Sequence, residues 1–185
     1  MAPRPMTRNG RILLGVGGGI AAFKVAALAS QLVQRGHEVR VAMTPSAAEF
    51  VGAVTFEGLT GHVVIGSPTQ IDPDGTAPHV AATSEADLMV IAPATADLIG
   101  RLAAGLCDNA VALAAVACRC PRLLCPAMND AMWQNPIVQR NVHTLVEAGY
   151  EVLGPVEGHL AEGYDAIGRM LEPEDIIAAI ESRLA

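Results

Sequence analysis

Residues 11–16, Arg-Ile-Leu-Leu-Gly-Val, form an apolar run that ends in three consecutive glycines, and apolar residues at helical spacing follow from 20 to 34. The run reads as a buried strand and the spacing as a helix packed on it. Arg35-Gly36-His37 closes that helix, and residues 38–43 alternate in the manner of a second strand. A strand, helix and strand of these lengths make a βαβ unit, which requires a parallel sheet with a right-handed crossover. Thr44-Pro45-Ser46 reads as an N-cap followed by proline at the first helical position, with a short helix to residue 50. Residues 63–82 carry Pro68, Pro73, Gly75 and Pro78 and read as a long, flexible loop, a place where binding segments and lids are common. A central strand at 87–92 turns through Pro93-Ala94-Thr95-Ala96-Asp97 into a helix at 98–105, and a second helix is predicted at 109–118. A strand at 122–125 enters a loop at Pro126; a helix at 136–148, a short strand at 151–153 and a final helix at 174–183 complete the pattern. No internal repeat is visible.

The 185 residues suffice for one domain with a sizeable core, so residues 1–10 are read as a disordered leader and 11–185 as a single domain. Hydrophobic residues make up 51% of the chain and aromatics 3%, so the core rests on Ala, Val, Leu and Ile, which suits close helix-on-sheet packing and buried subunit contacts. A net charge of −7 with no basic run removes the electrostatic footprint of a nucleic-acid binder and points to small-molecule partners. The longest apolar stretch, 102–118, is broken by Asp108 and Asn109, so no membrane span is expected. Cys107, Cys118, Cys120 and Cys125 lack Cys-x-x-Cys spacing, and no His-x-x-x-His accompanies Cys118-Arg119-Cys120. Reduced thiols in a cytoplasmic protein, with no metal site, are the economical expectation.

Three segments carry candidate chemistry. The turn Gly15-Val16-Gly17-Gly18-Gly19-Ile20-Ala21 joins strand to helix, where free backbone N–H groups favour a phosphate. It fails the dinucleotide pattern, because Ile20 stands at the last glycine position and Thr44 where a ribose-binding acid would end the second strand. A mononucleotide phosphate held by Gly18, Gly19, Ile20 and Thr44, or glycines serving only tight packing, both fit. Lys24, one turn into the helix, reads as a solvated side chain. The Pro93–Asp97 turn lies at the carboxyl end of a central strand, where open α/β sheets place ligands; Asp97 reads equally as a helix cap. The third segment, Pro126-Ala127-Met128-Asn129-Asp130-Ala131-Met132-Trp133, gathers an amide, two thioethers and the single tryptophan at the end of a strand. Asn129 could also simply close a turn, and Met132 and Trp133 could be core residues.

Pro-x-Met-Asn-x-x-Met-Trp resembles the substrate-clamp motif of the flavin-dependent cysteine decarboxylases, and the resemblance extends over nearly the whole chain. It implies a flavodoxin-like or Rossmann-like α/β fold, a three-layer doubly wound parallel sheet, with FMN at subunit contacts of a homotrimer or a dodecamer built from trimers. It implies FMN contacts from Pro93, Ala94 and Thr95, and from Asp108 and Asn109 after Gly105-Leu106-Cys107. His79, seven residues before Ala86-Asp87-Leu88, matches the family's active-site histidine; His37, His62, His143 and His159 match no such position. Asn129 then pairs with the substrate carboxylate, with Met132 and Trp133 as pocket walls. The Pro93–Asp97 turn is similar to that of bacterial coenzyme A enzymes, which implies oxidation of the cysteinyl part of 4′-phosphopantothenoylcysteine, loss of carbon dioxide, and reduction to 4′-phosphopantetheine. A separate phosphopantothenate–cysteine ligase would supply that substrate. Two departures stand out: Gly17 replaces a usual Ser or Thr, and Glu162 replaces the flap cysteine thought to give the last proton. Glu162 is either a carboxyl donor in its place or an exposed acid. A peptidyl-cysteine decarboxylase that stops at the enethiol, and a non-catalytic flavin-binding subunit, are the alternatives.

Overall fold

The computed structural model describes residues 9–185, so the first eight residues of the expected leader lie outside the described residues. Of the other two, Asn9 is exposed, while Gly10 is buried and its N–H donates to His37 Nδ1 at 3.2 Å.

Five parallel strands, β1 (Arg11–Val16), β2 (Glu38–Met43), β3 (Leu88–Ala94), β4 (Arg122–Pro126) and β5 (Tyr150–Val152), form a sheet in the order β2-β1-β3-β4-β5. That order is the doubly wound, flavodoxin-like arrangement. Side chains alternate across each strand. Ile12, Leu14 and Val16 of β1 and Leu88, Val90 and Ala92 of β3 therefore point to one face, where they pack with α1 (Ala22–Gln34) and α8 (Pro173–Leu184). Leu13, Met89 and Ile91 point to the other, against α4 (Ala96–Ala103), α5 (Ala110–Ala117) and α7 (Pro136–Glu147). The two apolar clusters and the sheet between them are the three layers. Alanines along α5, buried at Ala110, Ala112, Ala114 and Ala115, let this helix lie close to the sheet. Among the described residues no helix is long and apolar enough to cross a membrane.

The elements differ from the sequence expectation in five places. The segment after Thr44 is a single 3-10 turn at Ala47–Glu49, followed by an unexpected helix α2 (Ala53–Thr60). The loop at 63–82 is shorter than expected: Ile65 bridges to Ala42, and Pro78 opens α3 (Pro78–Glu85) as its first residue, the position where a missing N–H costs nothing. His79 is accordingly held in the first turn of a helix rather than in a flexible loop. A short helix α6 (Asp130–Trp133) occupies the expected recognition loop. Last, residues 156–169 are an antiparallel hairpin of β6 (Val156–His159) and β7 (Asp165–Arg169), where no strand was expected.

Candidate functional site

The carboxyl ends of β1, β3 and β4 each run into a segment that borders one cavity of about 720 Å³. β1 contributes Gly18, Gly19 and Ile20, β3 contributes Thr95 and Asp97, and β4 contributes Ala127, Met128 and Asn129. The sheet order reverses direction between β1 and β3, and at such a point the loops splay apart and leave a crevice. The β6–β7 hairpin and the residue after it add Leu160, Ala161, Glu162, Gly168 and Met170 to the wall, beside Phe23 and Lys24 of α1.

The glycine turn is shaped by close approach. A Cβ on Gly17 would run into the Pro93 carbonyl oxygen, so the hydroxyl residue usual at this position has no room here without a shift of the β3 end. A Cβ on Gly18 would meet Ser46, whose Oγ is 3.1 Å from Thr44 Oγ1. Among the described residues the amides of Gly18, Gly19 and Ile20 have no acceptor, and Ala21, at the N-cap of α1, offers no side-chain cap. Free donors and an uncapped helix start at a cavity wall are suited to an anion. Thr44 is 7% exposed and does not reach the cavity; its Oγ1 accepts from Ala47 N–H at 3.1 Å. The exposed hydroxyl beside the turn is that of Ser46, which sequence reasoning passed over because it reads only as part of a helix start after the Thr44 cap.

At the end of β3, Pro93 and Ala94 are buried and stand behind the cavity wall rather than on it. Thr95 does face the cavity and also caps α4, its Oγ1 accepting from Leu98 N–H at 3.3 Å. The cap is therefore Thr95, not Asp97, which lines the cavity and pairs with Arg101 at 2.8 Å. Asp108 also pairs with Arg101, and the 6%-exposed Asn109 caps α5 by accepting from Ala112 N–H at 2.9 Å. Neither Asp108 nor Asn109 lines the cavity of a single chain.

Asn129 borders the cavity and caps α6, its Oδ1 accepting from Met132 N–H at 2.9 Å. Its Nδ2 group has no partner among the described residues and is left as a donor. Met132 lines the cavity, whereas Trp133 is half-buried and packs against the apolar cluster of α4, α5 and α7, off the cavity wall of a single chain.

Lys24 departs furthest from its expected solvated role. Its side chain is only 15% exposed, it lines the cavity, and its Nζ donates to Glu172 Oε1 at 2.8 Å. Arg169 of β7 bonds the same Glu172 carboxylate, so an acid from the start of α8 holds two cations at the cavity edge. The Lys24 hydrogen bond, with the charges of Lys24 and Arg169, holds the Glu172 carboxyl below its ordinary range and keeps it ionised. No local signal marked this trio, which comes from three distant segments. His159 also borders the cavity and bonds Asp165 at 3.1 Å.

Glu162 lies in the connection between β6 and β7, exposed and on the cavity wall. The hairpin is tied down at two points: Met128 N–H donates to the Gly168 carbonyl at 3.1 Å, and Tyr164 Oη donates to Asp130 Oδ1 at 2.6 Å. His79 is not brought to this cavity within one chain. It is half-buried in α3, and its Nδ1 is enclosed without a partner.

The flavoprotein family matches residues 2–185. The coenzyme A biosynthesis bifunctional protein CoaBC of Bacillus subtilis is 42% identical over 180 residues, which is 97% of this chain and 44% of that protein. The chain thus spans less than half the length of the curated relatives it matches. A mutant PPC decarboxylase complexed with pantothenoylaminoethenethiol superposes with a TM-score of 0.85 at 29% identity, covering 95% of this chain and 98% of the other. The FMN-dependent cysteine decarboxylase SpaF does so with a TM-score of 0.82 at 33% identity, covering 97% of each chain. Matched along nearly all of its length by the family and by these relatives, the chain belongs to the flavoprotein family.

Proposed function

We propose that this chain, as a single flavoprotein domain over residues 11–185, binds FMN and decarboxylates 4′-phosphopantothenoylcysteine to 4′-phosphopantetheine in coenzyme A synthesis. The observation that carries this reading is Asn129, an amide donor without a protein partner, on the same cavity wall system as an uncapped glycine turn. One binds a carboxylate and the other a phosphate. The residues fit the cofactor: the amides of Gly18, Gly19 and Ile20, with the Ser46 hydroxyl beside them, suit its phosphate, and Thr95 and Ala96 border the space beyond. FMN held there supplies a two-electron acceptor and donor, which makes the carbon beside the thiol oxidisable and the later reduction possible.

Within that frame each residue has a task. Asn129 Nδ2 donates to the substrate carboxylate and fixes the direction of the bond to be broken. Met132, Leu160 and Met170 exclude water, so the carboxylate gains by losing its charge as carbon dioxide. Glu162, on the hairpin that borders the cavity, is the proton donor of the last step. His79 is the base for the first step and comes from a second copy. Support for a shared site lies in its distance from the cavity in one chain, in its enclosed and unpartnered Nδ1, and in Ile20 and Phe23, 63% and 61% exposed at the cavity rim. A homotrimer, or a dodecamer of trimers, in the cytoplasm is the assembly we infer, with Asp108 and Asn109 near the subunit contact and a phosphopantothenate–cysteine ligase as the source of substrate.

Glu162 favours one second reading. A peptidyl-cysteine decarboxylase releases an enethiol and needs no final proton donor. Anaerobic incubation of the purified yellow protein with 4′-phosphopantothenoylcysteine, followed by mass spectrometry, separates the two. Saturated 4′-phosphopantetheine supports the full cycle; a product two hydrogens lighter, with bleached flavin, means that reduction is not completed. No product, with turnover of a peptide ending in cysteine, would replace the first reading with the second.

A further inference from the structure

The turn from α5 into β4 lies at the amino-terminal edge of the sheet, opposite the cavity, and holds Cys118-Arg119-Cys120-Pro121. The two Sγ atoms are 2.9 Å apart, within reach of one shared proton. Backbone and side chain both fix this approach. Cys118 N–H donates to Ala114 O at 2.8 Å as the last bond of α5, and the Pro121 carbonyl accepts from Met89 N–H at 3.0 Å. Arg122 spans the turn, donating from Nη1 toward the Ala115 and Cys118 carbonyls at 3.4 and 3.5 Å and from Nη2 to Ala148 O at 3.3 Å. Its guanidinium lies 4.5 Å from the centre of the Tyr150 ring, so it is held in place beside the sulfurs. Cys118 is 4% exposed, while Cys120 is half-buried and opens the pair to solvent.

We propose that Cys118 and Cys120 are a redox modification site, a dithiol that a small hydroperoxide oxidises to an intramolecular disulfide. The hydrogen bond from the Cys120 side chain, then its backbone bond and the charge of Arg122, lower the Cys118 thiol against the opposing effect of burial, whereas the same side-chain contact raises Cys120. The Cys118 thiolate attacks the distal peroxide oxygen; the O–O bond breaks, and the departing oxygen takes a proton as alcohol or water. Cys120 sulfur then attacks the resulting sulfenic acid, the S–O bond breaks, and hydroxide leaves as water with the Cys120 proton. Two electrons pass from the pair to the peroxide, and the sum is two thiols plus hydroperoxide giving disulfide, alcohol and water. Because one residue separates the cysteines, the ring is small and the bond is readily reduced again, as a reversible modification requires.

The other two cysteines serve as internal references. Cys125 is fully enclosed, its thiol pushed up to about 12 by burial, and Cys107 is exposed with its Sγ against the Gly105 carbonyl only. The flavin-loaded protein is treated with equimolar hydrogen peroxide, quenched in acid, alkylated and mapped by peptide mass. The peptide holding Cys118 and Cys120 should lose two hydrogens, resist alkylation and recover with dithiothreitol, about tenfold faster than Cys107 is consumed. Cys120→Ala should leave Cys118 as a sulfenic acid that dimedone traps, with flavin absorbance reporting that the variant is folded. If Cys107 is consumed first while the wild-type pair remains open to alkylation, the proposal is wrong, whatever the variants do.

Discussion

Asn129 Oδ1 accepts from the Met132 N–H at 2.9 Å, while its Nδ2 has no partner among the described residues at the cavity wall. The two ends of one amide thus divide a structural task from a recognition task, and a substitution can separate them. Aspartate caps a helix as well as asparagine does, so Asn129→Asp should leave α6 and the thermal midpoint nearly unchanged. The free donor becomes an acceptor with a negative charge facing a substrate carboxylate. Like-charge juxtaposition of this kind costs several kcal/mol, so kcat/KM for the cysteinyl substrate should fall about 100-fold or more. Steady-state kinetics decides: unchanged kcat/KM removes Asn129 from substrate binding.

His79 and Asn129 do not share a cavity within one chain. If a second copy brings the histidine, His79→Asn and Asn129→Asp each damage a different half of the same site. His79→Asn should retain flavin absorbance and lose turnover. Mixing the two inactive variants under conditions that exchange subunits should then restore a fraction of activity, because some sites pair an intact His79 with an intact Asn129. A mixture as inactive as its components, with exchange verified by native mass spectrometry, would place His79 outside the mechanism or the site within one chain.

The hairpin depends on Gly168. A Cβ there would collide with the Met128 carbonyl oxygen, and the φ of +145° disfavours any L side chain. Gly168→Ala must push β7 away from the segment that carries Asn129, breaking the 3.1 Å bond from Met128 N–H. Strain and displacement together should cost about 1–3 kcal/mol, lowering Tm by about 2–4 °C for each of those kcal/mol in a chain of this size. Differential scanning calorimetry of the flavin-loaded protein measures this directly, and an undiminished Tm would mean the hairpin is not seated on Met128.

Legibility in the sequence follows burial. β1 falls at the residues its apolar run indicates because both its faces are covered, and β2 at those its alternation indicates because Val39, Val41, Ala42 and Met43 are buried while Glu38 is exposed. α2 was missed because it buries little more than Phe56 while Val54 stands 75% exposed, which leaves no amphipathic stripe to read. β6 and β7 were missed for the related reason that they form a two-stranded ribbon in which only Gly168 is buried, outside the apolar alternation of the main sheet. In the site, the glycine turn and Asn129 are contiguous motifs and could be found. Lys24, Arg169 and Glu172 meet only because α1, β7 and α8 pack at one corner, and Ser46 reaches the glycine turn only because β2 lies beside β1. Trp133 shows how a motif leaves packing unread: within one chain it sits half-buried against the apolar cluster of α4, α5 and α7.

His37 links the amino-terminal edge of the fold to pH. Its Nδ1 accepts from Gly10 N–H at 3.2 Å, which puts the proton of the neutral ring on Nε2, an atom buried without a partner. Burial lowers its pKa, with the charge of Glu181 opposing. The unfolded chain therefore binds a proton at His37 more readily than the folded one. Stability from this residue is complete above the unfolded value of about 6.5 and declines as pH falls through the window below it, until the folded value is passed. His37→Asn offers Gly10 an acceptor oxygen and removes the titration. The variant should lose some stability at neutral pH, since an imidazole leaves a packed site, yet its Tm should fall less steeply than that of the parent between about pH 7 and pH 5. Parallel slopes for the two proteins would mean that the buried imidazole is not what couples this fold to acid.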